Sequence, residues 1–117
     1  MAWRMAKGRN PGTGGDQRSS VTAFVALGSN LFDPVAQIRA ALHELARLPD
    51  SRLVRSSALY RSPPAGGPAQ PDYVNAVAEI ETPIGARALL GRLMEIERAH
   101  GRVRDVPNAP RTLDLDI

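Results

Sequence analysis

The stretch YVNAVAEIE, residues 73–81, decides the fold. Its apolar residues fall on every second position, so Val74, Ala76, Ala78 and Ile80 share one face of an extended strand. Tyr73 and Asn75 then point to the opposite face. Such a strand buries one side and offers the other.

On the N-terminal side, RLVRSSALY (residues 52–60) reads as another strand, and RSPPAGGPAQPD (residues 61–72) as an irregular loop, since its four prolines and two glycines suit nothing regular. Further upstream, VTAFVAL (residues 21–27) is β-branched and apolar, a buried strand ending at Gly28. Asp33 before Pro34 is an N-cap followed by a first-turn proline. Val35, Ile38, Leu42 and Leu45 recur at helical spacing from there to about Leu48. On the C-terminal side a second helix is expected over residues 85–100, with Leu89, Leu90, Leu93 and Ile96 inward and Gly101 as its stop. The polar loop RVRDVPNAP (residues 102–110) leads to a last strand in which Leu113, Leu115 and Ile117 alternate with Asp114 and Asp116. The order βαββαβ predicts a ferredoxin-like α+β sandwich, an antiparallel sheet with both helices on one face. Asp114 and Asp116 would then join Tyr73 and Asn75 on the open face.

Composition narrows the remaining choices. A chain of 117 residues favours one domain, and the absence of cysteine excludes disulfides and thiolate metal sites. No apolar run approaches membrane-spanning length, and the start lacks the apolar stretch of a secretory signal. Residues 1–20, rich in Gly, Ser and charge, read as a disordered leader ahead of a domain over 21–117. That leader explains the pI: Arg4, Lys7, Arg9 and Arg18 oppose only Asp16, whereas residues 21–117 hold eleven arginines and eleven acids. Global charge is therefore no argument for nucleic-acid binding, and a cytoplasmic location is expected.

Carboxylates at positions i and i+2 of a strand lie about 6.5 Å apart along it, within common reach of hard cations. Mg²⁺ takes oxygen ligands, uses few protein carboxylates and completes its shell with water and phosphate. Alone, Asp-x-Asp is better read as an acidic solvent face. Arg102, Arg104 and Arg111 shift that balance, because forked guanidinium donors suit phosphate oxygens and metal ligands beside a phosphate clamp are what phosphoryl transfer requires. The plain alternative for the arginines is a solvated basic loop.

ALGSN (residues 26–30), YRSPPAGGPAQPDYVNA (residues 60–76) and ERAHGRVRDVPNAPRTLDLDI (residues 97–117) resemble the signature segments of the 2-amino-4-hydroxy-6-hydroxymethyldihydropteridine pyrophosphokinases of folate biosynthesis. The resemblance runs from Val21 to Ile117 and implies transfer of pyrophosphate from MgATP to the hydroxymethyl oxygen of 6-hydroxymethyl-7,8-dihydropterin, with release of AMP. It implies that Asp114 and Asp116 hold two Mg²⁺ ions. Arg102, Arg104 and Arg111 match catalytic arginines near the triphosphate, with Arg102, Arg111 and Glu97 contacting ATP. Tyr73 matches the aromatic that stacks on the pterin, Asn75 the amide that reads its edge, and Ser62, Pro63, Pro64 and Ala65 the backbone lining the pterin pocket. Each has a plainer alternative: Tyr73 as a packing residue, Asn75 as a strand-end polar group, Glu97 as a helix-surface acid. Gly28, Ser29 and Asn30 read as turn formers, and His100 as a helix C-terminal residue.

Two departures stand out. Asn108 and Ala109 replace a Trp-Gly pair, and Pro107 stands where some members carry a further arginine. The family also continues past Asp-Leu-Asp-Ile, so the chain as written is expected to be weakly active or inactive, and a monomer when complete. The reading from a different class is a ferredoxin-like nucleotide- or RNA-binding module without catalysis. Its only aromatics in the body are Phe24, Phe32, Tyr60 and Tyr73, and acids on the open face would repel phosphate without metal.

Overall fold

The computed structural model describes residues 19–64, 69–101 and 113–117, together with the backbone of 5–7. Its elements are β1 (Met5–Lys7), β2 (Val21–Ser29), α1 (Pro34–Ala46), β3 (Arg52–Ser56), β4 (Tyr60–Ser62), β5 (Tyr73–Thr82), α2 (Ala86–Ala99) and β6 (Asp114–Asp116). Every strand pairing is antiparallel. β2 and β5 form the centre, β3 and β4 lie in line along the far edge of β5, and β6 pairs with β2. From β2 onward this is the ferredoxin-like α+β arrangement expected from the element order.

One face of the sheet carries the core. Ala23, Val25 and Leu27 of β2, Ala76, Ala78 and Ile80 of β5, and Leu113 and Leu115 at β6 meet Ile38, Ala41 and Leu45 of α1 and Leu89 and Leu93 of α2. Burying a side chain the size of leucine or isoleucine contributes about 1.5–3 kcal/mol, so this interface supplies most of the drive for folding. Leu90 departs from expectation at 42% exposed. It sits about 100° round the helix from Leu89, and the stripe centred on Leu89 and Leu93 leaves it outside.

The start of α1 follows its sequence signals, and its end falls at Ala46, two residues before Leu48. Asp33 accepts from the Ala36 amide at 3.3 Å, and Pro34 opens the first turn. The α2 cap is Gly85, and Gly101 leaves the helix at φ +84, a conformation open to glycine. His100 does more than end α2. Its Nδ1 lies within hydrogen-bond reach of Gln37 Oε1 and its Nε2 is 2.9 Å from Glu44 Oε2, so its ring joins the two helices.

Three boundaries differ from the sequence reading. The strand expected over residues 52–60 is two strands, because Ser57 turns its side chain to the ladder: Val77 N donates to Ser57 Oγ at 2.9 Å and Ser57 N to Val77 O at 2.8 Å. β2 continues through Gly28 to Ser29 instead of stopping at the glycine. Met5–Lys7, inside the stretch read as a leader, pairs with Val21–Ala23. On that side of β2, β6 reaches only Ala26–Gly28 among the described residues, and a short extended segment pairs with the backbone beyond it.

Candidate active site

The register across the sheet assembles the site. Gly28 faces Asn75 on one side and Asp114 on the other, Asn75 faces Tyr60, and Ser62 faces Tyr73. One residue pair along, Asp116 faces Ala26 and Ala26 faces Val77. Alternation places Asp114, Asp116, Gly28, Asn75, Tyr73 and Tyr60 on the face away from the helices. With strands spaced about 4.8 Å, Asp114 lies two strands, roughly 10 Å, from Asn75. The acidic pair and the amide thus border one open surface, as the alternation in the sequence predicts.

The floor between them is small by composition. Gly28 is buried although it lies on the open face, and a β-carbon there would meet Tyr73 Cδ1 at 3.4 Å and Asn75 Oδ1 at 3.5 Å. The Tyr73 ring therefore leans over the glycine. Asn75 donates through Nδ2 to Ser62 Oγ at 2.8 Å and to Tyr60 O at 3.2 Å, which turns its Oδ1 toward Gly28. From the sequence alone Gly28 reads as a turn former. The signal that would have shown its place is its distance from Val25, Leu27 and the aspartates in strand register, which needs the pairing to be known.

Asn30 is another residue the sequence undersold. It is 2% exposed, and its Nδ2 donates to Gln70 Oε1 at 2.7 Å and to Pro71 O at 3.0 Å. These bonds tie the end of β2 to the loop that delivers Tyr73. Asn30→Ala leaves that loop without its anchor and is expected to cost about 1–3 kcal/mol, read as a shift in the denaturation midpoint with unchanged slope.

Of the remaining expected residues, Ser62 and Pro64 are half-buried and Pro63 is exposed at the start of the proline-rich loop. Ala65, Arg102, Arg104 and Arg111 lie outside the described residues. Glu97 is placed unlike a surface acid: it is 2% exposed, and Leu115 N donates to its Oε2 at 2.7 Å. The far half of the open face is occupied differently. There Arg55 meets Glu79 at 2.7 Å and Arg52 meets Glu81 at 3.3 Å, flanking Phe24. Exposed pairs of this kind add little stability.

Among the described residues no three His, Asp or Glu side chains gather as a closed metal cage, and no helix is long and apolar enough to cross a membrane. Two carboxylates on an open surface are nonetheless the donor set a hard cation takes when water and phosphate complete its shell.

This is an antiparallel α+β sandwich whose face away from the helices carries acids at one side and an aromatic and an amide at the other. Residues 24–117 match the family model for 7,8-dihydro-6-hydroxymethylpterin-pyrophosphokinase, and the chain belongs to that family. It is 52% identical over 97 residues to the 2-amino-4-hydroxy-6-hydroxymethyldihydropteridine pyrophosphokinase of Haemophilus influenzae, covering 83% of this chain and 61% of that one. It is 53% identical over 94 residues to the enzyme of that name from Pseudomonas aeruginosa, covering 80% and 58%. For the Pseudomonas putida protein of that name the figures are 47% over 98 residues, 84% and 81%. The chain thus spans about three-fifths of the length of the first two relatives.

Proposed function

We propose that the chain carries the ATP- and pterin-binding face of a pyrophosphokinase acting on 6-hydroxymethyl-7,8-dihydropterin with MgATP. The observation that carries this reading is the register that sets Asp114 and Asp116 on the same open face as Tyr73 and Asn75, with Gly28 between. A flat heterocycle fits against the Tyr73 ring with its polar edge toward Asn75. Its hydroxymethyl group then extends toward the aspartates. Asp114 and Asp116 are the residues that would hold Mg²⁺, which when bound neutralises charge developing on the transferred phosphates. Arg102, Arg104 and Arg111 follow α2 in sequence and are assigned to the polyphosphate. The acceptor hydroxyl attacks the β-phosphorus of ATP, the bond from that phosphorus to the α-phosphate oxygen breaks, AMP leaves and the hydroxyl proton passes to solvent.

Calorimetry with a pterin analogue and a non-hydrolysable ATP analogue in Mg²⁺, alongside AMP release, tests this. Saturable binding of both ligands is expected. Absence of binding for both would overturn it.

Tyr73→Ala is expected to weaken the pterin analogue by about 1–2 kcal/mol through lost stacking area, with the nucleotide nearly unaffected. Equal weakening of both ligands would assign Tyr73 to packing alone. Gly28→Ala adds a methyl group at ordinary contact distance from Tyr73, so the melt should stay near that of the parent chain. The methyl group would narrow the floor beneath the ring, and the pterin analogue should again be weakened more than the nucleotide.

A further inference from the structure

We infer that Glu97 is a positioning residue: its buried carboxylate stands in for a neighbouring strand along β6 and fixes the register of Asp114 and Asp116. This rests on the metal role proposed above for the two aspartates. The Leu115 amide donates to Glu97 Oε2 at 2.7 Å, a short bond. Leu115 is the Cα partner of Leu27 on β2, and with its N–H committed to Glu97 that pair is a non-hydrogen-bonded one. The flanking pairs, Asp114 with Gly28 and Asp116 with Ala26, are then the ones that exchange ladder bonds. Glu97 therefore occupies the side of β6 that β2 does not.

Its place on α2 supports a dedicated role. Leu89, Leu93 and Glu97 follow one another at a spacing of four, and all three are buried. Pure core packing would put another aliphatic residue at the third position, and a carboxylate taken out of water is costly unless a donor meets it. β6 is three residues long, so few ladder bonds locate it. Leu115, buried on the helix side, and its amide, held by Glu97, together set the rotation of the strand. That rotation decides whether the aspartates on either side project to the open face.

The test uses Glu97→Gln and Glu97→Ala in the full chain. Gln keeps an acceptor oxygen without the charge, and Ala keeps neither. Amide exchange at Leu115 is one readout. The other is Mn²⁺ alone, titrated as a probe and followed by broadening of the Asp114 and Asp116 resonances. Glu97→Gln should leave both within about threefold of the parent chain. Glu97→Ala should speed Leu115 exchange and weaken Mn²⁺ by about tenfold or more. If Glu97→Ala does not fold, Glu97→Asp, one methylene short of the amide, takes its place with the same expectation. Glu97→Gln as damaging as Glu97→Ala, or Leu115 exchange untouched in Ala, would overturn the inference. A parent chain that binds no Mn²⁺ would instead overturn the metal role, while Leu115 exchange would still decide the part played by Glu97.

Discussion

Placed in a chain lengthened to the span of its relatives, Asp116→Asn is expected to lower pyrophosphoryl transfer about a thousandfold or more while leaving the melt near that of the same chain without it. Asp116 is exposed at the end of β6, so the amide replaces the carboxylate without disturbing a buried contact. On the metal role proposed for it, what is lost is a negative ligand for Mg²⁺, and with it charge stabilisation of the transferred group. Asp116 separates chemistry from folding better than Asp114, which is half-buried. The measurement is AMP release at saturating Mg²⁺ in that lengthened chain, with and without the substitution, and a melt of each. Equal rates would remove Asp116 from the metal site.

Ile80→Ala is expected to have the largest effect on stability, about 3 kcal/mol. Ile80 is fully buried on β5, the strand bonded to both β2 and β3, and truncation there leaves a cavity where the strands and helices meet. Against a typical total of about 5–15 kcal/mol this is a large share, and the melt should fall by more than about 10 °C. Val77→Ala, three residues earlier but on the open face, should cost about 1 kcal/mol or less. Similar losses at both positions would mean that the two faces of β5 are misassigned.

The difference between these two residues was legible in the sequence because the period of a strand is local. The alternation from Tyr73 to Glu81 assigns faces with no knowledge of what pairs with them, and the Asp33–Pro34 signal fixes the start of α1 in the same local way. Features that depend on partners were not legible. Gly28 reads as a strand end until its register with Asn75 and Asp114 is known. Glu97 reads as one more helix acid, although its spacing from Leu89 and Leu93 marked the buried stripe; its meaning came from an amide 18 residues further along. The break after Ser56 depends on a side chain replacing backbone in the ladder, which no strand propensity reports. The pairing of Met5–Lys7 with Val21–Ala23 uses backbone of β2 beyond the reach of β6, which no pattern in those three residues announces.

That side of β2 has a further consequence. β6 runs along β2 with its register falling one residue at a time, from Gly28 opposite Asp114 to Ala26 opposite Asp116. Carried on, the same line passes Val25 at Ile117 and then Phe24 and Ala23, where Met5 now sits. The N-terminal strand and any onward run of β6 would therefore be rivals for one lane, both travelling antiparallel to β2. Two segments cannot share that lane, so pairing of Met5–Lys7 at Val21–Ala23 limits how far a strand in the register of β6 can run along β2.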